Sequence, residues 1–184
     1  MIDPSLLGPL AALAGTWEGD EGEDVAYDHD SGASATSRFR ERMTFEPFGP
    51  VDNGRQLLFG LDYRTVATRL GEADPFHMEV GYWLWDAAAG SVMRCFMVPR
   101  GATVLAGGPA AADARAFRMR AERGSTTFGI LANPYLDERA RVLRYELEVA
   151  VEGGALAYRE DTVLALAEMP GEYHHTDRNR LRRA

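Results

Sequence analysis

The pair His174-His175 lies in the segment Glu172-Tyr-His-His-Thr-Asp-Arg-Asn-Arg-Leu-Arg-Arg183 and is the strongest candidate for chemistry in the chain. A neutral imidazole directed into an apolar cavity is a good ligand for a transition-metal ion. An exposed His-His pair closing a hairpin would carry no chemistry, and the pair alone does not choose between the two. Neighbouring side chains on a strand point to opposite faces. One face carries His174, Thr176, Arg178, Arg180 and Arg182, and a row of three arginines belongs in water. The other carries His175, Asp177, Asn179 and Leu181. His175 is therefore predicted to point inward, a choice that a bulge between the two histidines would reverse.

Other reactive residue types offer less. His29 stands between Asp28 and Asp30 in the acidic, then small and polar stretch 20–36, which reads as a strand end and a solvated loop. Cys95, the single cysteine, sits beside Met93 and Met97 in an apolar run and reads as a buried, inert thiol. It allows no intrachain disulfide and no zinc site of the Cys/His type. Gly-x-Ser-x-Gly, the P-loop, Gly-x-Gly-x-x-Gly and His-Glu-x-x-His are all absent. The carboxylates mostly alternate with apolar residues, as a solvated face would, and no acid/base pair is nominated.

The elements that would position these residues are strands. Phe39, Met43 and Phe45 alternate with Arg38, Arg40, Arg42 and Thr44. Leu57, Phe59, Leu61 and Tyr63 repeat the pattern, as do Leu143, Tyr145, Leu147, Val149 and Val151 before the Gly153-Gly154 turn. In 77–85 both faces carry large apolar groups, so the inward face is not decided. Asp3-Pro4 looks like a helix start, but Pro9 predicts short broken turns. Trp17, between Gly15 and Gly19, reads as a core plug at a closed end. The expectation is one domain over 1–184: an all-β, antiparallel up-and-down barrel of about ten strands with a short N-terminal helical plug, enclosing a cavity for a small apolar ligand.

Net charge is −8, which argues against nucleic acid or an anionic membrane as partner. The N-terminal segment carries Asp3 and no early Lys or Arg, unlike a signal peptide. No apolar run approaches the ~18–20 residues that span a bilayer. A cytoplasmic protein is expected.

Several stretches together resemble the nitrobindins, a family of haem-binding β-barrels. They are Gly15, Trp17 and Gly19 of an opening Gly-x-Trp-x-Gly; Gly54-Arg55 with Arg64-Thr65; His77, Glu79, Gly81, Tyr82 and Trp83; then Pro99, Gly101 and Gly107. The basic Arg182, seven positions after His175, agrees with the family's last strand. The resemblance implies ferric haem b held through a C-terminal-strand histidine, His175 or else His174, with Gly15, Trp17, Gly19, Arg55 and His77 as further motif residues. It also implies reaction with nitric oxide, or isomerisation of peroxynitrite to nitrate. The alternative is a fatty-acid-binding-protein-like carrier of another apolar molecule, without catalysis. Glu21 replaces the family's third glycine, and Asp177 and Asn179 share the face of His175.

Overall fold

Asp3 caps the first turns, its carboxylate accepting from Ser5 N at 2.9 Å, with Pro4 at the first helical position. Pro4–Ala12 forms two 3-10 turns joined at a kink. Pro9 has no N–H to donate, and Gly8 takes φ +53°. A Cβ at Gly8 would lie 2.5 Å from the Trp85 ring, so the plug can seat only with glycine there. Leu7, Leu10 and Leu13 join Trp17 and Trp85 in one buried cluster that stops this end of the barrel.

The computed structural model describes residues 2–184. Eleven strands follow the plug: β1 (Gly15–Asp28), β2 (Ala33–Asp52), β3 (Leu57–Arg69), β4 (His77–Asp86), β5 (Ser91–Val98), β6 (Ala102–Pro109), β7 (Ala116–Arg123), β8 (Gly129–Ala132), β9 (Ala140–Glu152), β10 (Ala155–Leu166) and β11 (Tyr173–Arg183). They close in the order β1-β11-β10-β9-β7-β8-β6-β5-β4-β3-β2. This is the plugged β-barrel expected from the alternation. One pair is parallel: the short β8 runs alongside β7. The Asn133-Pro134 break opens a short helix, α1 (Pro134–Arg139), whose Leu136 N donates to the Asn133 side chain at 3.0 Å.

Residues 20–36 correct the loop reading. β1 continues to Asp28 and pairs with β2 from Ala33, leaving only a tight turn. Backbone pairing on both sides of β1 holds this polar stretch as strand, because strand preference depends on context more than on side-chain type. The register shifts between Glu18 and Glu23 against β11. A Cβ at Gly19 would meet the Arg180 carbonyl at 2.5 Å, so glycine lets the two backbones approach there.

Strand alternation decides the lumen. In β4, Glu79, Trp83 and Trp85 are buried, while Val80 and Tyr82 are exposed. Buried Asp24, Glu41, Glu79, Arg94 and Asn179 accompany the apolar filling. No helix among the described residues is long and apolar enough to cross a membrane.

Candidate functional site

Arg94 lies on the buried face of β5 with Val92 and Phe96, directly opposite Trp83 of β4. Its Nη2 donates to Tyr63 Oη at 2.9 Å and to the Glu79 carboxylate; its Nη1 donates to Glu160 Oε2 at 3.0 Å and to the Tyr145 hydroxyl. Tyr63 donates to Glu79 at 2.7 Å and Tyr145 to Glu160 at 2.6 Å. The guanidinium stands 4.2 Å from the centre of the Phe96 ring, with Trp83 close by. Two buried donors among the described residues have no acceptor: Arg94 Nε and Trp83 Nε1.

The charges tune one another. Burial would raise Glu79, but Arg94 and His77 outweigh it and hold this carboxyl well below its ordinary range. His77, half-buried on the same face of β4, meets Glu79 Oε1 at 3.2 Å. Burial would lower its ring, yet the Glu79 carboxylate lifts it to about 9. On β2, Glu41 accepts from Thr65 Oγ1 at 2.8 Å, Tyr158 Oη at 2.9 Å and Asn179 Nδ2 at 3.1 Å. Burial still pushes its carboxyl up against those hydrogen bonds.

At the end opposite the plug, β11 carries His175 into a carboxylate pocket. Its Nε2 is 2.7 Å from Asp24 Oδ1 and 3.5 Å from Asp177 Oδ2. Ser37 Oγ donates to the other oxygen of Asp24 at 3.1 Å. Burial opposes the charged ring, but Asp24 and Asp177 raise its pKa. Asp24 is lowered although burial works the other way, because His175 stabilises its charge. Burial pushes Asp177 up to about 8, with Glu160 and Asp24 adding to the rise against the pull of His175.

The register is continuous, Val163↔His174 and Thr162↔His175, with no bulge between the histidines. His174 accordingly faces out: its side chain is 51% exposed against 34% for His175, and its Nδ1 lies 2.8 Å from Asp161 Oδ2.

A model of the THAP4-like, heme-binding beta-barrel domain matches residues 6–183. The chain belongs to that family. Among solved structures, this haem-binding-type barrel is similar to Rv2717c from M. tuberculosis, with a TM-score of 0.69 and 17% identity, covering 100% of this chain and 99% of that one. At that identity the likeness shows the fold. No curated protein matches the chain.

The family's cofactor can be tested against these donors. An imidazole on the inner face of the last strand, a buried carboxylate on its ring nitrogen and a hydroxyl behind that carboxylate form the outer-shell arrangement of a metal-ligating histidine. The donor set fits a histidine, His175, that would hold a haem iron. The polar lining set by Asp177, Glu160 and Arg94 distinguishes it from an apolar haem pocket.

The motif residues do not gather at one place. Trp17 is 1% exposed at the plugged end, where its Nε1 donates to Leu13 O at 2.6 Å. Trp17 pairs with Arg183, eight residues along β11 from His175, so Trp17 lies roughly 26 Å along the strand from the His175 level at ~3.3 Å per residue. Gly15, with φ +118°, leaves room for the Arg183 guanidinium. Arg55 is exposed in the turn between β2 and β3, and His29 is exposed as expected of a loop histidine. Only His77 shares the lumen with His175.

Two readings need correction. Cys95 is half-exposed on the outer face of β5, because the buried phase of that strand is Val92, Arg94, Phe96. The carboxylates are not all a solvated face: Asp24, Glu41 and Glu79 are buried in the barrel. A signal was present, since Glu41 falls in the apolar phase of Phe39, Met43 and Phe45, and Glu79 in that of Trp83 and Trp85.

Proposed function

We propose that this barrel binds ferric haem b in the cytoplasm through His175, and acts on nitric oxide and on peroxynitrite, isomerising it to nitrate. The carrying observation is that His175, on the last strand of a barrel of a haem-binding family, faces the lumen with a buried carboxylate on its ring nitrogen. The haem would supply the iron centre at which these small nitrogen oxides react. Asp24 orients the imidazole and increases its basicity, and Ser37 holds Asp24. Leu7, Leu10, Leu13 and Trp17 stop the far end, so ligands pass through the mouth beside His175. Hemin titration of the apoprotein tests the reading. A Soret shift saturating at one haem per chain is expected, kept in His174→Ala and lost in His175→Ala.

A second reading has its own support. The unmatched donors Trp83 Nε1 and Arg94 Nε favour a small, largely apolar ligand that offers an oxygen acceptor, such as a carboxylic acid. The barrel would then be a carrier without catalysis. Displacement of a fluorescent fatty acid, weakened in Trp83→Phe, is its signature; no displacement by any tested acid counts against it.

A further inference from the structure

We propose that Asp24, His175 and Asp177 form a site for a bare divalent transition-metal ion, separate from any porphyrin chemistry. One ligand atom from each residue lies within 4.8 Å of the others. The register makes this more than a chance meeting of acids. Asp24 and Asp177 are direct partners across β1 and β11, and Asp177 is the direct partner of Glu160 across β10. Like charges directly opposite on adjacent strands are destabilising. Glu160 is compensated by Arg94 and Tyr145. Asp24 and Asp177 share a single nitrogen, His175 Nε2, and one N–H satisfies only the nearer carboxylate. The two carboxylates and the ring nitrogen therefore converge on one point, where a single cation could be shared by both acids.

Two carboxylate oxygens and one imidazole nitrogen suit a borderline ion such as Zn²⁺, Co²⁺ or Fe²⁺ rather than a soft one. Three protein ligands leave a position for water, as in zinc sites that do chemistry. Asp24 is fixed from behind by Ser37, and the partly exposed His175 gives a hydrated ion a way in. The exposed pair His174 and Asp161 has the same residue types but only two of them, which makes it an internal control.

This proposal does not depend on haem, although haem and ion would compete for His175. Untagged apoprotein is titrated with Zn²⁺ by calorimetry and with Co²⁺ by visible absorption. One ion per chain is expected. Asp177→Asn should weaken Zn²⁺ binding at least about tenfold, the scale seen even for outer-shell losses, and His175→Ala should abolish the Co²⁺ bands. His174→Ala should leave both unchanged, and near-ultraviolet circular dichroism checks that each variant is folded. Absence of saturable Zn²⁺ binding, or binding that survives both Asp177→Asn and His175→Ala, overturns the site. A Soret shift with hemin but no Zn²⁺ binding removes the ion site alone; Zn²⁺ binding without a Soret shift removes haem alone.

Discussion

Arg94 of β5 and Glu79 of β4 form an ion pair inside the barrel, each side chain 4% exposed. Tyr63 touches both, accepting from Arg94 and donating to Glu79. Desolvating two charges is costly, and their attraction offsets that cost only when the remaining hydrogen-bonding capacity is used. Here the tyrosines and Glu160 use most of it.

Breaking this pair from one side should be severe. Arg94→Met leaves Glu160 without its cation and Glu79 with only the half-buried His77, and a loss of about 3–5 kcal/mol is expected from urea unfolding. A loss below ~1 kcal/mol would mean that the guanidinium is not the centre of the network.

His77 contributes to the pH dependence of stability together with His175 and Asp177, whose pKa values are also raised by the fold. The folded pKa of His77, about 9, lies above its ordinary value of 6.5. Its contribution is therefore complete below about pH 6.5 and is lost as pH rises through about 9. Glu79 has the opposite sign: its lowered pKa gives stability that disappears in strong acid. Melting temperature should fall between about pH 6.5 and 9, and His77→Gln should flatten that fall. An unchanged slope in His77→Gln would move the titration to another group.

Trp17 combines burial, a hydrogen bond to Leu13 O and the Arg183 guanidinium 4.5 Å from its ring. Trp17→Ala should cost about 3–5 kcal/mol. Trp17→Phe keeps the apolar contact but leaves Leu13 O without its donor, and should cost about 1–3 kcal/mol. Equal losses in the two variants would assign the role to the hydrogen bond rather than to packing.

Alternation was enough to read the barrel and the plug, because a half-buried strand writes its face into every second residue. Phe39, Met43 and Phe45 are buried as that pattern requires. It failed in β4, where outward Val80 and Tyr82 are as apolar as inward Trp83 and Trp85. The opposite facing of His174 and His175 was also legible, from the arginines on one side. The lumen network was not. Tyr158 meets Glu41 across 117 positions and Asp24 meets His175 across 151. Barrel closure creates such contacts, and no local period encodes them. Glu41, Glu79 and Arg94, charges standing in the apolar phase of their strands, were the visible trace, since a charge at an apolar position must find a partner inside.

The haem reading stands or falls with the bond between His175 and iron. The direct measurement is hemin titration of His175→Gly, with and without added imidazole, beside the unmutated protein. The expected result is a Soret shift in the unmutated protein, none in the variant alone, and recovery when free imidazole fills the gap left by the side chain. A variant that binds hemin as the unmutated protein does, without imidazole, or an unmutated protein that gives no Soret shift, would contradict it.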